Sequence, residues 1–229
     1  MDPDSRSNQP MVSRCNNFVI SYNGEIYNYK EIRRELEDLG VVFRTTSDTE
    51  VFLNAFIQWN YNCFTKLNGM FAAAIFSNEE SKIYLVRDRW GIKPLYYYDP
   101  SKNNEPFAFA SEIKALAAHK SISLNANPDI LAASIYAPLY VEGLESTIWQ
   151  GVKRLLPGHY AIIDTKTDRM AINRWWSTLE NLPHIPARFD DRVDLFKDHL
   201  RDSIRLRHRA DVATSTALSG GLDSSSIVG

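Results

Sequence analysis

The sequence predicts an α+β domain followed by the opening elements of an α/β domain. Two observations carry the first part: capped amphipathic stretches at 28–39 and 47–59, then a series of short apolar runs separated by turn residues. The third observation lies at the other end, where a helical stretch from residue 189 leads into a β-branched run at 212–218 and a glycine turn. Strands in sequential hairpins with helices against them imply α+β packing, whereas a helix feeding a parallel strand implies α/β.

Residues 1–10, MDPDSRSNQP, are polar and proline-broken, a poor start to a folded domain. Residues 18–22 read as a strand that ends at Asn23-Gly24-Glu25. Asn28 and Glu31 have capping-box spacing, and Tyr29, Ile32, Leu36 and Leu39 line one face before Gly40 stops the helix. Ser47 and Glu50 repeat that spacing ahead of Val51, Phe52, Ala55, Phe56 and Trp59. Strands follow at 70–76, 82–86, 94–98 and 107–110, with turns at 78–80, 88–91 and 99–104. Short helices are expected at 111–118 and 128–137, and a hairpin at 159–164 and 169–175 around Thr165-Lys166-Thr167. Residues 177–187, with Pro183 and Pro186, form a linker between a domain at 1–176 and the start of a second at 188–229. In the second, Val193, Phe196, Leu200 and Ile204 share one helix face.

Composition bounds the function. At 229 residues, 44% hydrophobic and 24% charged, the chain reads as soluble and globular, with one large domain or two modest ones. A net charge of −2 and a pI near 6.2 supply no basic surface for nucleic acid. No apolar run reaches the ~18 residues of a transmembrane helix, and residues 1–14 lack a signal-peptide core. Cys15 and Cys63 are too few for a disulfide framework or metal site, and the five histidines have no metal spacing. These features point to the cytosol.

Two stretches carry chemistry. Leu218-Ser219-Gly220-Gly221-Leu222-Asp223-Ser224-Ser225-Ser226 places a glycine turn between the 212–218 strand and a helix start near Ser225. Backbone N–H groups and serine hydroxyls there suit an anion, and Asp223 suits a magnesium ion or a donor to be oriented. No Gly-Lys-Ser/Thr follows, so this is not a Walker loop. Nearer the start, Asn23, the Gly24 N–H, Glu25 and Asp48 suit an amino-acid ligand: carboxylates for an α-ammonium, amide donors for an oxyanion. On residue type alone, Asn23-Gly24 reads more simply as a turn, and Asp48 as a helix-cap acid. Arg87-Asp88-Arg89 reads as a strand-ending turn with ion pairs. The basic stretch Arg201, Arg205, Arg207, His208 and Arg209 suits a helix C-terminus.

The ordered motifs N-G-E-I-Y-N-Y (23–29), S-D-T-E (47–50), L-N-G-M-F-A (67–72), R-D-R-W-G-I-K-P-L-Y-Y (87–97), F-A-S-E-I-K-A-L (109–116), L-P-G-H-Y (156–160) and S-G-G-L-D-S-S (219–225) resemble those of the glutamine-hydrolysing asparagine synthetases. The resemblance implies an N-terminal-nucleophile glutaminase sandwich, here incomplete, followed by the start of an ATP-pyrophosphatase (PP-loop) domain. It implies that Asn23 and Gly24 form an oxyanion hole, that Asn23, Gly24, Glu25 and Asp48 contact glutamine, and that Leu218, Ser219, Gly220, Gly221, Leu222, Asp223 and Ser224 bind ATP, with Mg2+ at Asp223. Ammonia would then attack β-aspartyl-AMP made from L-aspartate and ATP. A homodimer through the glutaminase half is also implied.

The chain departs from that pattern. The family nucleophile is a cysteine whose free α-amine serves as base. The sequence begins Met-Asp-Pro-Asp, and Cys15 and Cys63 read as packing residues. The arginine-histidine-arginine-glycine segment and the glutamine-carboxylate arginine have no counterpart. The expectation is therefore a piece truncated at both ends, with unpaired sheet edges, poor autonomous folding and no activity of its own. Three alternatives stand beside it: a relative amidating another carboxylate, a lactam-forming synthetase, and a non-catalytic protein that binds glutamine or ATP.

Overall fold

A computed structural model of the protein describes residues 5–99, 106–210 and 213–229. In chain order the elements are β1 (Met11–Val12), β2 (Phe18–Ile26), α1 (Tyr29–Asp38), α2 (Asp48–Trp59), α3 (Cys63–Lys66), β3 (Gly69–Ser77), β4 (Lys82–Arg87), β5 (Tyr96–Tyr98) and β6 (Ala108–Ala110). Then come α4 (Ile113–Ala117), α5 (Pro128–Tyr136), α6 (Pro138–Glu142), β7 (Val152–Arg154), β8 (His159–Asp164), β9 (Arg169–Arg174), α7 (Phe189–Arg207) and α8 (Leu222–Val228).

Two antiparallel sheets result. The larger has the order β1-β2-β3-β4-β8-β9 and the smaller β6-β5-β7. Strand β3 is apolar without a break because both of its faces are covered. Phe71, Ala73 and Ile75 point toward α1–α3 and pack with Ile32, Leu36, Phe52, Phe56 and Phe64. The intervening Ala72 and Ala74 join Leu85, Ala161 and Ile163 of the same sheet against Leu95, Tyr97 and Leu155. Small alanines at that face let the second sheet lie close. Beyond it, Tyr98 and Val152 pack with Leu116 of α4 and with Ile122. The layers are helix, sheet, sheet, helix.

Several elements differ from the sequence reading. Strand β2 does not end at Asn23; it pairs with β3 through Ile26↔Gly69, so Asn23-Gly24-Glu25 lies inside it. Asn28 precedes α1 but makes no side-chain cap. Its amide instead donates to the Lys66 carbonyl and accepts from the Asn68 N–H, pinning the α3–β3 corner. Ser47 does cap α2, accepting from the Thr49 N–H. Glu50 turns away from it, accepting from the Arg44 and Thr45 N–H groups and the Thr45 hydroxyl. Strand β4 pairs next with β8 rather than with β5, so the hairpin series breaks into two sheets. Helices α3 and α6 and strands β1 and β7 have no counterpart in the sequence pattern.

The largest departures lie beyond residue 176. The expected strand at 212–218 is absent over 213–218, where the chain is exposed and unpaired, and residue 212 lies outside the described residues. A lone β-branched run has no ladder without a neighbour. Helix α8 starts at Leu222, earlier than the reading placed it. Along α7 the expected apolar face is only half covered: Phe196 is 67% exposed, and the buried residue is Leu206. Most of the 99–104 turn lies outside the described residues.

Phe52 has no exposed surface, and its ring centroid lies 5.3 Å from that of Phe71 and 5.7 Å from that of Tyr22. Truncation leaves a cavity between α2 and the sheet. Phe52→Ala is expected to lower unfolding free energy by about 3–5 kcal/mol, measured by urea denaturation.

Candidate functional site

The candidate site is the outer edge of β2, and its geometry follows from strand pairing. Phe71 of β3 lies opposite Gly24. Phe71 donates its N–H to the Asp88 carboxylate at 3.1 Å, and its carbonyl accepts from the Asp88 N–H at 2.8 Å. Both its backbone groups therefore point away from β2, which makes Phe71↔Gly24 a non-hydrogen-bonded pair. The Gly24 N–H must point outward, away from β3. The neighbouring groups on that edge agree: the Tyr22 N–H donates to the Gln9 side chain and the Ile26 N–H donates to Asp48 Oδ2 at 3.0 Å. Strand β1 stops pairing at Ile20, so among the described residues no strand covers the edge at Gly24.

Position 24 requires glycine. A Cβ there would run into the Met70 carbonyl oxygen and lie 2.7 Å from the Phe71 Cα, and φ is +156°. Those are backbone atoms of the paired strand and cannot give way.

Asp48 sits in the first turn of α2 and is 4% exposed. Its Oδ2 accepts from the Ile26 N–H and from the Tyr22 hydroxyl at 2.9 Å, tying the helix start to the end of β2. Burial, and next the Asp48 charge, push the Tyr22 hydroxyl well above its usual pKa, so it stays a donor. Gly24, Asp48, Tyr22, Ser47, Thr49, Ser7 and Gln9 enclose a cleft of about 170 Å³.

Asn23 faces the other way. By alternation along β2 it lies on the opposite side of the sheet from Tyr22 and Gly24, with Glu25. Its side-chain amide donates to the Ser111 hydroxyl at 3.2 Å. Asn23, Ser111, Phe109 and Leu95 line a second cleft of about 180 Å³ between the sheets. The structure thus brings Gly24 and Asp48 together at one cleft and places Asn23 and Glu25 on the opposite face of the same strand, outside that cleft's lining.

Three contributors escaped the sequence reading. Tyr22 read as a strand residue, and Ser111 lay within a quoted motif without a role. Asp88 was expected in ion pairs, but its carboxylate collects the N–H groups of Phe71, Trp90, Ile92 and Lys93. An aspartate followed three residues later by Gly91 was the available signal. Its neighbours also spend their charge on backbone: Arg87 donates to the carbonyls of Lys93, Leu155 and Gly91, and Arg89 to those of Leu67 and Thr65.

At the other end, Leu218, Gly220, Gly221, Leu222 and Asp223 are exposed. Ser219 and Ser224 share a hydroxyl hydrogen bond at 2.9 Å, and the Ser224 hydroxyl donates to the Gly221 carbonyl. Gly220 has φ +77°, the left-handed conformation a tight turn demands. No group of three or more His, Cys, Asp and Glu side chains placed to hold a metal ion occurs among the described residues.

The glutamine amidotransferase domain matches residues 1–176. The chain belongs to the glutamine amidotransferase domain family. The asparagine synthase family matches residues 195–229, after the amidotransferase domain. Asparagine synthetase [glutamine-hydrolyzing] 3 of Bacillus subtilis is 37% identical over 222 residues, covering 96% of this chain and 35% of that protein. Asparagine synthetase [glutamine-hydrolyzing] 1 of the same organism is 36% identical, covering 96% and 33%. The chain therefore spans about a third of the length of these curated relatives. The sequence resemblance to glutamine-hydrolysing asparagine synthetases agrees with these matches. Among solved structures, the glutamine phosphoribosylpyrophosphate amidotransferase of B. subtilis superposes with a TM-score of 0.51 at 19% identity, over 90% of this chain and 42% of that one. A second, described as the allosteric regulatory enzyme of purine biosynthesis, gives 0.52 over 97% and 45%. These two show the fold of the amidotransferase domain.

The Asp48 tie sets the order of the edge. Tyr22→Phe removes the hydroxyl bond to Asp48 and is expected to cost about 1–2 kcal/mol. Asp48→Ala frees the Ile26 N–H and strands the Tyr22 hydroxyl, and should cost about 2–4 kcal/mol. Urea unfolding gives both values. Hydrogen exchange at the Ile26 amide should accelerate in the alanine variant and stay near the parent rate in the phenylalanine variant.

Proposed function

We propose that this chain is part of an ATP-dependent, glutamine-hydrolysing asparagine synthetase, converting L-aspartate, L-glutamine and ATP to L-asparagine, L-glutamate, AMP and pyrophosphate. Residues 1–176 supply glutamine binding, 177–187 a linker and 188–229 the start of the ATP-pyrophosphatase domain. The observation that carries the reading is the outward Gly24 N–H at the cleft it shares with the Asp48 carboxylate. A donor and an anion there suit the two ends of an amino-acid amide. Gly24 and Asn23 donate to the oxyanion that forms when the amide carbon is attacked. Glu25 and Asp48 hold the α-ammonium group.

The two family matches, at 1–176 and 195–229, support the second half. Leu218 contacts ATP, and the N–H groups and hydroxyls from Ser219 to Ser224 cradle its pyrophosphate. The converging hydroxyls and the left-handed turn at Gly220 fit a phosphate. ATP bound there supplies the leaving group that turns a carboxylate into an acyl-adenylate. Mg2+ held by Asp223 would draw further oxygen ligands from the phosphates, since Mg2+ is commonly bound through one or two carboxylates plus substrate phosphates. A homodimer and a cytoplasmic setting follow from the same reading. Among the described residues, no helix is long and apolar enough to cross a membrane.

One observation favours binding without turnover for the 229-residue polypeptide. Its thiols are Cys15 and Cys63. Neither lines the Gly24 cleft. Cys63 is fully buried, and burial pushes its thiol far up, away from the nucleophilic form.

Calorimetry with glutamine, paired with an ammonia assay, tests both statements. Heat of binding without ammonia is expected. Glu25→Ala should weaken binding by about 10-fold or more, the loss of a charged hydrogen bond. Steady ammonia release would refute the turnover statement, and an absence of binding heat would refute the glutamine site.

A further inference from the structure

The basic end of α7 makes a contact that the helix dipole does not explain. Arg205 pairs with Asp202 on its own helix. Arg209, just past α7, leaves the helix altogether. Its Nη1 donates to the Tyr27 carbonyl at 3.0 Å and to Glu31 Oε2 at 2.5 Å, and its Nη2 donates to Glu31 Oε1 at 2.6 Å. This is a two-pronged guanidinium–carboxylate pair with a third bond to backbone. Hydrogen bonds from Arg209 hold the Glu31 carboxyl down at about 2. Beside it, the Arg207 guanidinium lies 4.8 Å from the Tyr27 ring centroid, and Leu206 is buried.

Tyr27 is the residue immediately after β2. Its N–H donates to the Asn68 carbonyl at 2.7 Å, and its own carbonyl is taken by Arg209. Ile26, next to it, is tied to Asp48. Arg209 therefore grips the same short piece of backbone that carries Asn23, Gly24 and Glu25, from a segment ten residues ahead of Ser219.

We propose that Arg209 is a positioning residue: by clasping Tyr27 and Glu31 it fixes the end of β2 and joins the terminal loop segment to the Gly24 cleft. That the cleft takes glutamine rests on the function proposed above; the clasp itself does not. Lysine cannot replace it, since a single ammonium cannot grip both carboxylate oxygens and a carbonyl in one plane.

The test uses the 15N-labelled chain with Arg209→Ala, Arg209→Lys, Glu31→Gln and the exchange Glu31→Arg with Arg209→Glu. Glu31 is half-exposed on α1, so Glu31→Gln keeps the fold, and thermal unfolding checks each variant. Arg209→Ala and Glu31→Gln are expected to shift the Gly24, Glu25 and Tyr27 amide resonances and to weaken glutamine binding about 3- to 10-fold, the size of a partly exposed ion pair. Arg209→Lys should behave like alanine, and the exchange should bring the resonances back toward the parent. Unmoved resonances in both single variants would overturn the proposal. So would shifts spread evenly over β8 and β9, the mark of general loosening. If the parent binds no glutamine, the glutamine reading falls, and the resonances alone still decide whether Arg209 positions β2.

Discussion

Phe71 spends both of its backbone groups on Asp88, and that exchange decides which way Gly24 faces. Had Phe71 bonded across to β2 instead, the Gly24 N–H would be consumed inside the sheet and the outward groups would be those of Asn23 and Glu25. Asp88 has this influence because it is fully buried and the N–H groups of Trp90, Ile92 and Lys93 are directed at its carboxylate. A buried carboxylate without such donors would be costly; with four of them it becomes a rigid node. Arg87 and Arg89 stiffen the same corner by capping carbonyls. The site at the strand edge is thus prepared by a turn on the far side of β3.

The layered core serves that edge. Alternation along β3 sends phenylalanine and isoleucine to the helices and alanine to the second sheet, so neither covering layer displaces β3 from its register with β2. A one-residue slip would bring Phe71 and Ile75 onto the alanine face and turn Gly24 inward. Glycine at 24 and at 69 then permits the close approach: a Cβ at Gly69 would strike the Glu25 carbonyl oxygen, the counterpart of the clash at Gly24. The two glycines lie two ladder rungs apart, Gly24 opposite Phe71 and Gly69 opposite Ile26.

What the sequence disclosed follows from how local each signal is. The helices at 29–38 and 48–59, the strands of 69–87 and the hairpin of 159–174 were legible because period and punctuation lie within a few residues. The extension of β2 through Gly24 was not, because asparagine and glycine signal a turn locally, and only the partner strand keeps them extended. Asn28 shows the same override: its spacing to Glu31 suits a cap, yet both of its amide ends are claimed by residues 66 and 68. The division of the strands into two sheets was illegible for a related reason. Nothing in residues 82–98 states that β4 will pair with β8, some seventy residues later. The pairing partner is chosen by burial of Leu85 and Ala161 together, a fact about the packed chain.

The segment after residue 176 marks where local pattern alone fails. Residues 213–218 have strand composition without strand structure, and α7 has an apolar stripe without a matching surface over most of its length. A β-branched run needs a ladder and a stripe needs a neighbour, whereas a glycine turn followed by a short helix satisfies most of its own hydrogen bonds, as the Ser219–Ser224 pair does. This explains why the loop forms and the strand leading into it does not. It also explains why the firm attachment in this segment is electrostatic and local. Arg209 needs no extended surface to find Glu31, only three donors in one plane and a carbonyl within reach, and it makes that contact at the end of the strand where the Gly24 edge is built.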